Sequence, residues 1–220
     1  MSKNGKGQMR TLTYLSVLLL SLCANVADAQ FALGKHYARL PTPPAATGNE
    51  KIVVREFFWY GCPHCYALEP YLERWLTSVP ADVEYVRTPG VARRWLPHAQ
   101  AYYSFEALGI TEKVHKDFFD AIHKDGKQLN DEVSIAEFVS KYGVDGDSFH
   151  KAFNSFGVRT QVEKAKRLNF RYGIDSVPSI TIDGRYKTSV PNAGGPDRLM
   201  QLMNYLINKA RQDRGSSTGS

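Results

Sequence analysis

At 220 residues, with 43% hydrophobic and 23% charged side chains, the chain is long enough to bury one core or one domain with an insertion, and is neither a disordered segment nor a polytopic membrane protein. Its net charge of +6 comes from Lys and Arg spread without a dense run, so it reads as a solvated basic surface and gives no support to nucleic-acid binding. Three cysteines are too few for a disulfide-stapled scaffold.

The first 29 residues have the make-up of a secretory leader. Lys3, Lys6 and Arg10 form a basic region, Leu12 to Leu22 a short apolar run and Ala27-Asp28-Ala29 a cleavage site, so cleavage after Ala29 and export are expected. The apolar run is too short to span a bilayer comfortably, which speaks against a stable membrane anchor. A lipoprotein would acylate Cys23, but Leu22 stands where a small residue is needed. Cleavage removes Lys3, Lys6, Arg10 and Asp28, leaving a charge of +4, and it removes Cys23, leaving Cys62 and Cys65 as the only cysteines.

In the exported part, Lys35 to Leu40 reads as a strand and the prolines at 41, 43 and 44 mark a loop. Ile52 to Tyr60 is β-branched and aromatic, as a buried strand requires. The period then changes. Leu68, Leu72, Trp75 and Leu76 recur at helical spacing, Pro63 suits the first helical position, and Pro70 should kink the helix. Val83 to Arg87 supplies a second strand and completes a β-α-β unit.

Residues 94–157 read as helical throughout. Tyr102, Phe105 and Leu108 mark one helix, and Val114, Phe118 and Ile122 another. Ser134-x-x-Glu137 looks like a capping box opening a third, and Asp147 a cap for a short fourth. Val158 to Leu168 should link back to the sheet. There Ser179 to Asp183, the turn Asp183-Gly184 and Arg185 to Thr188 form a hairpin. A last helix runs from Pro196 through Leu199, Leu202, Met203, Leu206 and Ile207, and 215–220 reads as a disordered polar tail. The organisation expected is an α/β domain, 30–93 and 158–214, interrupted by an all-helical subdomain, 94–157.

Chemistry is concentrated in Cys62-Pro63-His64-Cys65. Cys62 falls at a helix N-terminus, where unpaired N–H groups and the helix dipole favour a thiolate, and is expected to be exposed; Cys65 lies one turn in, more buried. His64 is placed to favour the thiolate further by charge or hydrogen bonding. A zinc site would need a second ligand pair, and His36, His98, His115, His123 and His150 form none at suitable spacing, so no metal is expected. A purely structural disulfide closing so small a loop contributes only ~2 kcal/mol. Redox chemistry is the stronger reading, with no cofactor. Glu56 is an acidic residue in an apolar strand, either facing solvent beside Arg55 or buried for a reason.

The stretch Glu56-Phe57-Phe58-x-x-x-Cys62-Pro63-His64-Cys65-Tyr66, the Val177-Pro178 step before Ile180 to Tyr186, and Gly34-Lys35-x-Tyr37-x-x-Leu40 together resemble the DsbA-type thiol:disulfide oxidoreductases. The resemblance spans most of residues 34–210. It implies a thioredoxin fold with an inserted helical subdomain and a periplasmic dithiol oxidase that donates a Cys62-Cys65 disulfide to reduced, newly exported proteins. A membrane quinone reductase of the DsbB type would reoxidise it. It further implies that Cys62 is the nucleophile and that Glu56 lies beneath the disulfide and moves protons to and from Cys65. Arg87 would be a basic partner for Glu56, and Pro178 should be cis, with Val177 and Ser176 contacting substrate. A disulfide isomerase or reductase, and a periplasmic metal carrier or peptide-binding chaperone, are the alternatives. With a Cys62 thiol pKa between ~3.5 and ~4.5, the reduced fold would be the more stable at neutral pH.

Overall fold

The computed structural model describes residues 31–41 and 51–217; the expected leader, most of the expected proline loop and the last three residues lie outside this range. Among the described residues five strands, β1 (Ala38–Arg39), β2 (Ile52–Phe58), β3 (Val83–Pro89), β4 (Ser179–Ile182) and β5 (Tyr186–Ser189), form one sheet in the order β1-β5-β4-β2-β3. β2 pairs in parallel with β3, from Ile52 opposite Val83 to Phe58 opposite Pro89, and antiparallel with β4, from Val54 opposite Ile182 to Phe57 opposite Ser179. Having a partner on each side makes β2 a central strand. Its period of two sends Ile52, Val54 and Glu56 to one face.

The β4–β5 hairpin turns at Asp183 and Gly184, whose φ values of +55° and +58° are the pair of positive angles a type I′ turn demands. Arg185 N–H donates to the Ile182 carbonyl across it at 2.9 Å. At the sheet edge the strand is shorter than Lys35 to Leu40: only Ala38 and Arg39 pair with β5. The residues before them close a turn on themselves, with Gly34 at φ +82° and its N–H donating to the Tyr37 carbonyl.

Helix α1 (Pro63–Leu76) follows β2, and the block after β3 holds α2 (Leu96–Ala107), α3 (Thr111–His123), α4 (Glu132–Ser140), α5 (Gly146–Phe153) and α6 (Phe156–Arg171). After β5 come α7 (Val190–Ala193) and α8 (Pro196–Ser217). Two expected caps shift. Asp131, not Ser134, caps α4, and Asp145, not Asp147, caps α5; each aspartate accepts the backbone N–H of a serine three residues on. A carboxylate is the better N-terminal acceptor, so Ser134 and Ser148 become donors within the first turn. Gly215 to Ser217 continue α8 and do not begin a tail.

Two cores result. Leu68, Leu72 and Trp75 of α1 pack with Val54, Ile180 and Ile182 of the sheet and with Leu199, Leu202, Met203 and Leu206 of α8. Phe105, Phe118, Phe119, Ile135 and Phe149 form the other core, and the linking helix α6 turns Val162 and Ala165 inward to it, with Val158. Each fully buried Leu or Phe here contributes about 1.5–3 kcal/mol. Phe58, Tyr60, Cys62 and Cys65 belong to the second core while α1 continues into the first, so the dithiol sits where the two meet.

Candidate active site

Cys62 is the N-cap of α1, with extended backbone angles and Pro63 as the first helical residue. It is 7% exposed, less open than its helix-end position suggested, and Cys65 is fully buried. Cys62 is covered by the segment before β4: its Sγ lies 3.5 Å from the Val177 carbonyl oxygen, and the Val177-Pro178 bond is cis, as expected. Pro63 and His64 are exposed. Gly61 is required by the Trp59 ring, which folds back so closely that a Cβ at Gly61 would stand 2.3 Å from it. Trp59 in turn stacks on Trp95, with centroids 4.9 Å apart.

The helical block fixes this loop from the other side. His123 Nε2 donates to the Tyr60 carbonyl at 2.8 Å and the His123 ring stacks on Tyr66, whose hydroxyl donates to Asp120.

The two thiols are driven apart. A hydrogen bond from Cys65 does most to lower Cys62 to about 6; burial opposes it, and the backbone N–H groups of Cys65 and His64 and the charge of His64 add to it. Burial above all pushes Cys65 far up, helped by its bond to Cys62 and by the charge of Glu56.

Behind Cys65 lies a group of ionisable side chains that the sequence revealed only in part. Glu56 is fully buried, not solvent-facing, since it shares its strand face with Ile52 and Val54 beneath α1. Tyr85 donates to its Oε2 at 2.5 Å, and Arg87, its register partner on β3, approaches the same oxygen at 3.7 Å. The shorter bond of Arg87, 3.0 Å, goes to Glu69, one turn beyond Cys65 on the buried stripe of α1. Glu69 Oε2 also lies 3.5 Å from His115 Nε2, and His115 Nδ1 is 2.8 Å from the Tyr60 hydroxyl. Glu69, His115 and Tyr85 were missed in the sequence. Helical spacing from Cys65 and Leu68 signals Glu69, and spacing from Phe118 and Phe119 signals His115.

One guanidinium serves two carboxyl groups here, and they part company. Burial, then the charge of Glu69, raises Glu56 to about 8, against the pull of Arg87 and Tyr85. Burial pushes Glu69 up too, but His115 and Arg87 outweigh it and hold Glu69 below its ordinary value. At neutral pH the site therefore offers a protonated Glu56 near Cys65 and an ionised Glu69 against Arg87.

In front of the dithiol is a groove of about 400 Å³ lined by His64, Leu68, Val177, Pro178, Val190 and Pro196, with Ser176 on its wall. Ser176 is exposed and its carbonyl accepts from the Ser179 hydroxyl. Among the described residues no three His, Cys, Asp or Glu side chains are grouped to hold a metal ion, and no helix is long and apolar enough to cross a membrane.

Residues 90–206 match the family model described as the DSBA-like thioredoxin domain. The chain is 42% identical over 188 residues to the thiol:disulfide interchange protein DsbA of Azotobacter vinelandii, covering 85% of this chain and 88% of that one. It is 39% identical over 206 residues to the DsbA of Pseudomonas aeruginosa, covering 92% and 98%. The crystal structure of Pseudomonas aeruginosa DsbA superposes with a TM-score of 0.79 over 84% of this chain and 97% of that one, and DsbA from Xylella fastidiosa, 28% identical, with 0.76 over 82% and 98%. A low-pKa thiol at a helix end, a buried partner thiol and a cis-proline beside them, carried on a chain this similar over nearly its whole length, make it a member of the DsbA family of thiol:disulfide oxidoreductases, a protein dithiol oxidase with a thioredoxin-like fold.

Proposed function

We propose that Cys62 and Cys65 carry the exchange and that Glu56 supplies its proton. A substrate thiolate attacks Cys62 Sγ, the Cys62-Cys65 bond breaks, and its electron pair goes to Cys65 Sγ. Cys65 binds protons far too tightly to remain a thiolate, so it takes the proton of the Glu56 carboxyl group. A second substrate thiolate then attacks the substrate sulfur of the mixed disulfide and releases Cys62, whose low pKa makes it a good leaving group. The substrate gains a disulfide and the enzyme keeps two electrons as a dithiol.

The observation that carries this reading is the opposed proton affinity of two thiols one helical turn apart. Pro63 and His64 shape the helix end, His64 adding positive charge beside Cys62. Ser176, Val177 and Pro178 border the groove and hold an extended substrate peptide beside Cys62 Sγ. Substrates are reduced proteins newly exported to the periplasm, which this chain reaches by cleavage after Ala29, and a DsbB-type membrane quinone reductase takes the two electrons back. The helical insertion, 94–157, divides the thioredoxin-like part into 30–93 and 158–214. Cys62→Ser should abolish disulfide transfer to a reduced peptide, and Cys65→Ser should accumulate mixed disulfides through Cys62. Trapping through Cys65 in the first variant, with none through Cys62 in the second, would reverse the two roles.

A further inference from the structure

We propose that His115 is a positioning residue for disulfide exchange: held between Tyr60 and Glu69, it keeps Glu69 the ionised member of the carboxyl pair and so keeps the proton on Glu56. The inference rests on the role of Glu56 given above.

The neighbours of the imidazole decide where it puts its hydrogen. His115 is 6% exposed, and the rings of Phe58, Tyr60, Tyr102 and Phe119 surround it at centroid distances of 5.2 to 6.4 Å. Tyr60 is also fully buried, and its hydroxyl lies 2.8 Å from Nδ1. A neutral imidazole has one donor and one acceptor nitrogen, so a hydroxyl donating to Nδ1 leaves the hydrogen on Nε2. Nε2 has no hydrogen-bond partner among the described residues and faces Glu69 Oε2 at 3.5 Å, close enough to act on it by charge. That tautomer favours the carboxylate form of Glu69. The reverse tautomer would turn an unprotonated nitrogen toward a carboxylate and leave Nδ1–H facing the hydroxyl oxygen.

The consequence passes through Arg87. It has one positive charge for Glu56 and Glu69 together, and both carboxyl groups retain a buried oxygen, Oε1, without a hydrogen-bond partner among the described residues. A dry site with one cation holds one carboxylate comfortably. Tyr85 donates to Glu56; the corresponding place at Glu69 is taken by His115 Nε2, which faces it at 3.5 Å without a hydrogen bond. The other groups that act on His115 are Arg87 on β3 and Glu112 on its own helix; Tyr102 on α2 lies against its ring, with Glu106 beside Tyr102. Of these, Arg87 alone donates to Glu69, and it also faces Glu56. His115 comes from α3 and Glu69 from α1, so the helical insertion contributes directly to the proton balance under the dithiol.

The test is the pH dependence of disulfide transfer from oxidised protein to one reduced peptide, each variant divided by wild type at the same pH so that ionisation of the peptide cancels. In His115→Phe, Glu69 loses a donor and competes for the proton, and Glu56 releases it about 1 pH unit lower. The loss of rate should then be about fivefold larger at pH 8 than at pH 6. Tyr60→Phe keeps the packing and removes only the hydroxyl that fixes the tautomer; the same trend, roughly twofold, is expected. His115→Gln, which restores an amide donor toward Glu69, should return the profile to that of wild type. A pH-independent ratio in both His115→Phe and Tyr60→Phe, or a His115→Gln profile no better than His115→Phe, overturns the proposal. Should His115→Phe not fold, the Tyr60→Phe and His115→Gln profiles decide alone. Glu56→Gln separates the two levels: a pH-independent ratio for that variant would sink the role of Glu56 itself, whereas a pH-dependent one beside flat His115 and Tyr60 variants would sink only the role of His115.

Discussion

The space in front of the dithiol and the space behind it are built from opposite materials. In front, the groove is walled by Leu68, Val177, Pro178, Val190 and Pro196. Behind it, Glu56, Glu69, His115 and Tyr60 are packed out of water, with Arg87 and Tyr85 half-buried beside them. An apolar wall can bind an extended chain through shape and backbone bonds, as proposed above for a substrate peptide. Such a wall does nothing for a proton. The buried side has the reverse make-up, and charges kept there are costly; on the proposed role of Glu56 they serve the proton of the fully buried Cys65. On the proposed roles, recognition and proton transfer are separated by one turn of α1.

The comparison predicts that damage behind the dithiol is larger than damage in front. Arg87→Met leaves two buried carboxyl groups without their cation, and should cost roughly 3 to 5 kcal/mol of stability in urea unfolding at pH 7. A loss below about 1 kcal/mol would mean the cluster is far wetter than its burial indicates. Glu56→Gln keeps the shape and the Tyr85 contact but removes the acid, so disulfide transfer should slow about 10²-fold near neutral pH. Val190→Glu, on the groove wall, should weaken a peptide substrate about tenfold in kcat/KM, through KM, and leave the titration of Cys62 where it was. An equal fall in kcat would place Val190 in the chemistry and dissolve the separation.

What could be read in the sequence follows the same division. Cys62, Cys65, Pro178 and the hairpin turn announce themselves through local spacing, because a helix N-cap and a pair of positive φ angles are decided by residues a few positions apart. The cluster behind them is assembled from β2, β3, α1 and α3. Glu56 was found because it interrupts an apolar strand; Glu69 and His115 interrupt nothing, since charged residues are common in helices, and only their place on the buried stripe gives them away. The resemblance pairs Arg87 with Glu56, yet its better bond is to Glu69, a residue on another element. The early caps failed for a smaller reason of the same kind: Asp131 and Asp145 compete with Ser134 and Asp147 for one helix end, and geometry chooses.

The smallest effect at neutral pH concerns the redox states themselves, and it sets the front of the site against plain chain entropy. Closing the Cys62-Cys65 loop stabilises the oxidised fold by ~2 kcal/mol at every pH. Against this stands the Cys62 thiolate, which exists only in the reduced form. Its pKa is depressed from near 9 to about 6, so its contribution is full above pH 9 and is lost as pH falls through 6. At pH 7 that amounts to roughly 1 to 2 kcal/mol, less than the sequence suggested, because burial offsets part of the help from the helix end and from Cys65. The two contributions nearly cancel there. Glu56, whose raised pKa costs stability as pH climbs from its ordinary value through 8, is present in both redox forms and drops out of the difference to first order. Thermal melts of the two forms should therefore lie within a few degrees at pH 7, with the oxidised form clearly ahead at pH 5 and the reduced form ahead by pH 8.5. Reversal of that order, or a gap that ignores pH, would show that Cys62 is not the thiolate; a reduced form already ahead at pH 5 would place its pKa well below 6.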